Sequence, residues 1–183
     1  SMTSSPASNP HTPTFADVED AARQIRAVAV ETPLLESPAL NARIGGRLLV
    51  KAEPLQRTGS FKFRGAYNRM SRIAGEARRS GVVAYSSGNH AQGVACAAQI
   101  LEMPAVIVMP ADAPAIKLRN TKSYGAEVVV YDRRRDDREA IGGEIARKRG
   151  AAIVPPYEDP YIIAGQGTIG LEIARQAEAL GAT

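Results

Sequence analysis

Gly81-Val82-Val83-Ala84-Tyr85-Ser86-Ser87-Gly88-Asn89-His90-Ala91-Gln92-Gly93 passes from a short apolar run through a small, hydroxyl-rich turn into a helix-like segment. The pattern recurs. Ala105 to Met109, Val128 to Tyr131 and Ala152 to Val154 are further short apolar runs, separated by helix-like stretches of a dozen or more residues. Runs that are apolar throughout suit strands buried on both faces, and alternation of strand and helix forces parallel pairing through crossover connections. Residues 81–156 are therefore expected to form a small α/β domain with three layers, an open parallel sheet between flanking helices. The segments share a period but not residues, so this is not a sequence repeat.

Upstream, ten of the first fourteen residues are Ser, Thr or Pro, which predicts a disordered tail over 1–14, and Ser1 ahead of Met2 reads as an expression scar. Thr14 with Asp17 three positions on reads as a capping box. Val18, Ala21, Ile25 and Val28 then repeat at helical spacing, predicting a first helix to about Val30. Leu48 to Glu53 is a short strand candidate, Pro54 to Gly59 a loop, and Ser60 a cap for a helix with apolar positions Phe63, Ala66, Tyr67, Met70 and Ile73. Downstream of Pro155-Pro156, a glycine-bearing loop and a helix from Gly165 to about Leu180 are expected. A chain that stops at Thr183, where another strand would be due, reads as incomplete.

The 183 residues suit one ordinary domain or two small ones, burying roughly 70% of the unfolded surface. Hydrophobic residues at 44% and charged residues at 23% are globular values, and no apolar stretch approaches the roughly 20 residues needed to span a bilayer. No secretory signal is visible, and the single Cys96 cannot form an internal disulfide, so a reducing cytoplasm is the expected setting. The net charge is +4, but the most basic run, Arg133 to Arg138, is interleaved with Asp132, Asp136, Asp137 and Glu139 and reads as a solvated helix start, with no nucleic-acid partner. Cys96 lies among alanines and reads as a small core residue. His11 falls in the tail, and no cluster has metal-ligand spacing.

Two constellations carry chemistry. Gly59-Ser60-Phe61-Lys62-Phe63-Arg64-Gly65 places a lysine in the first turn of a helix. A free lysine titrates near 10.4, and a nucleophile at neutral pH needs that lowered by about 3 units; a helix N-terminus supplies only about 0.3–1 kcal/mol of it. Burial beside Phe61 and Phe63, or an imine with an aldehyde cofactor, has to supply the rest. Ser86 to Gly93 follows a strand and opens a helix, where backbone N–H groups suit a carboxylate or phosphate, at the carboxyl end of a parallel sheet. Taken singly, the first also fits a surface lysine and the second a capped turn.

Together, and in this order, the two segments resemble the serine/threonine dehydratase and serine racemase branch of the fold type II pyridoxal-phosphate enzymes, the tryptophan synthase β-like family. Further matches lie in Lys51-Ala52-Glu53, in Lys117 to Gly125 and in Ala164-Gly165-Gln166-Gly167-Thr168, so that the resemblance covers about residues 15–183. It implies two domains: a large one holding the cofactor lysine, residues 15–80 and 157–183 and incomplete here, and the small one at 81–156. It also implies pyridoxal 5'-phosphate held by Lys62 as a Schiff base, flanked by Phe61, with its ring hydroxyl on Asn89. Substrate carboxylate would lie on the backbone of Ser86, Ser87, Gly88, Asn89 and His90, and Lys62 would later shuttle the α-proton.

Loss of that proton and the β-hydroxyl then gives an aminoacrylate that hydrolyses to a 2-oxo acid and ammonia. Ser87, where threonine dehydratases commonly have alanine and serine racemases serine, implies a proton donor on the opposite face, so racemisation stands beside dehydration. 3-Hydroxyaspartate is among the substrates the resemblance leaves open. His90 departs from the Ser-Gly-Asn-Thr-Gly of cysteine synthases. The resemblance further implies a homodimer when complete, and places the cofactor-phosphate loop beyond Thr183, so a non-catalytic folded fragment is the competing expectation. Gly165-Gln166-Gly167-Thr168-Ile169-Gly170 satisfies the dinucleotide pattern but has only a short strand candidate, Tyr161 to Ala164, before it, and reads as a decoy.

Overall fold

The computed structural model describes residues 12–182, so the expected tail falls almost wholly outside it, as does His11. Helix α1, Phe15–Ile25, starts at the anticipated capping box: Thr14 Oγ1 accepts from Asp17 N–H at 3.3 Å, and the Asp17 carboxylate accepts from Thr14 N–H at 2.8 Å. It ends five residues before the expected Val30. The buried Gln56 amide explains why: it donates to the Val30 carbonyl at 2.8 Å and accepts from the Val30 N–H at 2.9 Å, drawing that backbone out of the helix. Strand β1, Leu34–Glu36, helix α2, Pro38–Ile44, and strand β2, Leu49–Lys51, follow, with β1 and β2 antiparallel. Only β2 was anticipated, and it is shorter than Leu48 to Glu53 because the chain turns through a 3-10 turn at Glu53–Leu55.

Helix α3, Lys62–Met70, buries Phe63, Ala66 and Met70 as expected, whereas Ile73 is buried beyond the helix end. Ser60 reaches the Lys62 N–H at 3.4 Å, a long and weak cap. After helix α4, Gly75–Ser80, the four apolar runs become β3 (Val82–Tyr85), β4 (Ala105–Pro110), β5 (Glu127–Tyr131) and β6 (Ala152–Ile153). They are joined by α5 (Asn89–Leu101), α6 (Ala115–Ser123) and α7 (Arg138–Arg149) into one parallel sheet of order β5-β4-β3-β6. Side-chain alternation sorts the layers. Val82, Ala84, Ile107 and Met109 join the cluster containing α5, while Val83, Val106 and Val108 pack with Ala146 of α7.

Burial on both faces holds for β4 and most of β3. The outer strands β5 and β6 are partly exposed, as edges are, so their apolar runs overstated their burial. The basic run is a turn ahead of α7 rather than its start: Asp137 Oδ1 caps the helix by accepting from Glu139 and Ala140 N–H at 2.9 and 3.2 Å, and Arg133 pairs with Asp112 at 3.2 Å.

The last helix, α8, spans Pro160–Ala179 and begins before the expected Gly165, with Asp159 Oδ1 accepting from Tyr161 and Ile162 N–H at 2.8 and 3.1 Å. The strand candidate Tyr161 to Ala164 is therefore helical. The dinucleotide-like glycines lie inside a helix rather than in a phosphate-binding loop. Gly65 of α3 and Gly165 of α8 face each other: a Cβ on Gly165 would lie 2.6 Å from the Gly65 Cα, which only a close helix crossing explains. Among the described residues no helix is long and apolar enough to cross a membrane, and no group of three His, Cys, Asp or Glu side chains is placed to hold a metal ion.

Candidate active site

Lys62 opens α3, which packs against both α5 and α8. Its Nζ donates to the Pro156 carbonyl at 3.2 Å and lies 5.3 Å from the ring centroid of Phe61, which is itself 40% exposed. Helix α5 passes directly against this backbone because residue 93 is glycine: a Cβ there would come within 3.1 Å of Phe63 N and 3.2 Å of Lys62 C. The two motifs are thus in contact.

Behind the lysine, α3 is anchored by an ionic cluster. The Arg64 guanidinium, fully buried, donates to Glu53 at 2.7 and 3.0 Å, to Glu172 Oε1 at 3.0 Å, to Thr168 Oγ1 at 3.1 Å, and to the second Glu172 oxygen. Lys51 Nζ adds bonds to Glu172 at 2.9 Å and to Gln176 at 2.8 Å. Burial alone would lower the Arg64 pKa, but the hydrogen bonds from its two carboxylates outweigh it and raise it. Burial likewise works to raise Glu172, and the bonds from Arg64 and Lys51 reverse that to a lowered value. Two cations against two carboxylates leave the cluster balanced, which is how these charges tolerate burial. Gln166 Oε1 also accepts from the Gly65 N–H at 2.9 Å.

On the side of α5, Gly88 precedes the helix and no side chain among the described residues caps it, so its first N–H groups are left for a ligand. Ser86 Oγ accepts from the Gly88 N–H at 3.1 Å, shaping the turn. Ser87 and Asn89 are exposed on it, and Asn89 Oδ1 accepts from Lys117 Nζ at 3.2 Å. His90 points inward, 4% exposed, with its Nε2–H donated to the Val154 carbonyl at 2.9 Å. That bond fixes the tautomer, so Nδ1 is an acceptor, and it is buried with no partner. Burial, opposed by the Val154 bond and helped by the nearby Lys62 charge, pushes the His90 pKa from 6.5 down to about 4.

A stability test follows from that shift. Because the folded-state value is the lower one, the unfolded chain takes up the extra proton between pH 6.5 and 4. The stability that neutral His90 contributes is complete above 6.5 and is lost progressively as pH falls to about 4. The loss expected in denaturant titrations is on the order of 3 kcal/mol, and His90→Gln should flatten the slope in that window. An unchanged slope would show that His90 is not the group being titrated.

Residues 25–182 match the family described as pyridoxal-phosphate dependent enzyme. The chain belongs to this family. L-threo-3-hydroxyaspartate ammonia-lyase of Saccharomyces cerevisiae is 48% identical to it over 170 residues, covering 93% of this chain and 52% of that protein. Serine racemase of Schizosaccharomyces pombe is 44% identical, covering 93% of this chain and 53% of that protein. Among solved structures, maize serine racemase superposes with a TM-score of 0.89 at 36% identity, covering 92% of this chain and 51% of that one. A threonine deaminase crystal structure superposes with a TM-score of 0.86 at 45% identity, covering 93% of this chain and 54% of that one. The chain spans about half the length of the relatives it matches, and its parallel sheet with flanking helices is that of the fold type II pyridoxal-phosphate enzymes.

Within this pyridoxal-phosphate enzyme fold, the structure brings together Phe61 and Lys62 on one side and Gly88 to His90 on the other. Sequence reading missed three participants. Pro156 acts through its backbone and leaves no side-chain signal. Glu172 lay four residues after Thr168 and four before Gln176, a helical polar stripe that became legible only once α8 was known to be one helix. Lys117 was matched as part of a segment without a role of its own.

Proposed function

We propose that the full-length protein is a pyridoxal-phosphate-dependent ammonia-lyase that converts small hydroxy amino acids, L-serine, L-threonine or 3-hydroxyaspartate, to a 2-oxo acid and ammonia. The observation that carries this reading is the convergence of an amine and an anion-binding turn. Among the described residues, Lys62 Nζ has one backbone carbonyl as hydrogen-bond partner, and near it lie the uncapped N-terminus of α5 and the orphaned, buried His90 Nδ1. These features fit an aldehyde cofactor. An amine with no carboxylate partner among the described residues is available to bond it, Phe61 offers a ring beside that amine, and the exposed Asn89 amide is available to its hydroxyl.

When bound, the cofactor supplies the electron sink for carbanion chemistry. The chain's own work is positional. Of the amides from Ser86 to His90, the Ser86 N–H is donated to the Val108 carbonyl and the Gly88 N–H to Ser86 Oγ, so those two shape the turn. The N–H groups of Ser87, Asn89 and His90 hold the substrate carboxylate; Asn89 orients the ring, and Lys62 takes and returns the α-proton. His90, neutral by virtue of its lowered pKa, presents an acceptor to that site rather than a second positive charge. Ser87, exposed on the same turn, favours a second reading, racemisation, with its hydroxyl as proton donor from the other face. The reading includes the division into a large domain, 15–80 with 157–183, and a small domain, 81–156. It also includes a homodimer, and a cytoplasmic setting that suits the free, buried Cys96.

The direct test is an absorbance scan near 410–420 nm with added pyridoxal phosphate, followed by borohydride reduction and peptide mapping. Reduced cofactor is expected on Lys62. Absence of any lysine-linked cofactor at saturating concentration would overturn the reading.

A further inference from the structure

Helix α3 starts differently from α5, α7 and α8. In those three the fourth residue returns its N–H to the carbonyl just ahead of the helix: Gln92 to Gly88 at 3.2 Å, Ile141 to Asp137 at 3.0 Å and Ile163 to Asp159 at 2.9 Å. In α3 the Phe61 carbonyl is taken by the Arg64 N–H at 3.1 Å, a 3-10 closure, and the N–H of the fourth residue, Gly65, crosses to Gln166 Oε1 on α8 at 2.9 Å. Glycine at 65 admits that amide, since a Cβ there would lie 2.8 Å from Gln166 Cδ and Nε2. Gln166 Nε2 is buried with no partner among the described residues. A side chain that satisfies one N–H and strands its own donor adds little net stability, because an unmet buried donor costs about as much as a hydrogen bond gives. What it fixes is geometry. The turn it shapes carries Lys62, and at the far end of that side chain Nζ donates to the Pro156 carbonyl at 3.2 Å, just ahead of α8. The run from Pro156 to Gln166 thus holds the lysine twice, through the backbone of its turn and at its amine.

We infer that Gln166 is a positioning residue for the cofactor lysine: by drawing the Gly65 N–H out of the α3 ladder it keeps the first turn of that helix tightened, and so sets the direction in which Lys62 leaves the backbone. This rests on the ammonia-lyase reading above. Gln166 acts through the Gly65 N–H and not on the reacting atoms. Without the acceptor, the Gly65 N–H has the Phe61 carbonyl to return to, an exchange that leaves the helix intact but relaxes its first turn from about 3.0 to about 3.6 residues per turn. The fold survives and the aim of the amine changes.

The test uses the full-length protein freed of cofactor and titrated with pyridoxal phosphate. Gln166→Met keeps the length of the side chain, lacks the acceptor and removes the stranded donor, so its thermal midpoint should stay within about 3 °C of wild type. It is expected to bind pyridoxal phosphate about 10-fold more weakly by cofactor absorbance and, once saturated, to show kcat lowered by about 10²-fold with KM nearly unchanged. Gln166→Glu has the same shape and still offers an acceptor, and should recover most of both. A midpoint lowered by more than about 6 °C in Gln166→Met would make Gln166 a packing residue and overturn the inference. So would a stable methionine variant with wild-type cofactor affinity and kcat, or a glutamate variant as impaired as the methionine one. Wild-type protein that yields no lysine-linked cofactor on borohydride reduction would bring down the parent reading instead.

Discussion

Lys62→Ala in the full-length protein is expected to lower turnover of its amino-acid substrate by at least about 10³-fold while leaving folding intact. The size follows from the two roles proposed for one amine, the covalent hold on the cofactor and the transfer of the α-proton; proton transfer alone is worth about 10²–10⁴. Folding should be spared because the Nζ makes one 3.2 Å bond to a backbone carbonyl and an approach to the exposed Phe61 ring, neither part of the core. A change in stability within about 0.5 kcal/mol is expected. Lys62→Arg keeps the charge but not a nucleophilic amine, and should be as inactive as the alanine variant. A small primary amine added to Lys62→Ala should restore part of the proton transfer. Substantial turnover by either variant without added amine would remove Lys62 from the chemistry.

The contrast between what the sequence disclosed and what it hid is physical. Val82 to Tyr85 and Ala105 to Met109 announced themselves because central parallel strands are apolar on both faces, and both runs match their strands to within a residue. The same logic overstated Val128 to Tyr131 and Ala152 to Val154, since an apolar run does not say whether a strand has a neighbour on each side. Strand β1 and helix α2 were missed although Ser37, Pro38 and Gly45 are ordinary start and stop residues; the elements are too short for a period to show. The two segments of the proposed site were legible as motifs, but their contact was not. It depends on Gly93, whose missing side chain is a signal only when the partner helix is known. The Arg64 cluster joins residues 53, 64 and 172, and no local pattern connects such distances. The glycines of 165–170 satisfied the dinucleotide pattern but were set aside as a decoy, and the structure places them inside α8. Glycine is a poor helix former, yet two of them pack against α3 and α1, contacts that no local pattern discloses.

That packing makes α8 a place where the same substitution should have opposite signs. Gly165→Ala is expected to destabilise the protein by about 3 kcal/mol or more, because the new Cβ would lie 2.6 Å from the Gly65 Cα and 2.7 Å from the Arg64 carbonyl oxygen. Both are backbone atoms and cannot rotate aside, so α3 and α8 must separate. Gly65→Ala should behave alike, with its Cβ 2.7 Å from the Ile162 carbonyl oxygen. Alanine's better helix propensity, up to about 1 kcal/mol, is too small to compensate. Gly167→Ala meets Val18 Cγ2 at 3.0 Å, a side chain that can give, and should cost less. Gly170→Ala, on the exposed side of the same helix with nothing within 4 Å, should stabilise by about 0.5–1 kcal/mol. Chemical denaturation of the four variants measures the order directly, and Gly165→Ala as stable as Gly170→Ala would contradict the close crossing. The same separation would loosen the Arg64 anchor and move Lys62, three residues before Gly65, relative to α5. Any Gly65→Ala or Gly165→Ala protein that still folds should therefore take up cofactor more weakly than Gly170→Ala, linking a packing contact at the back of α3 to the chemistry at its front.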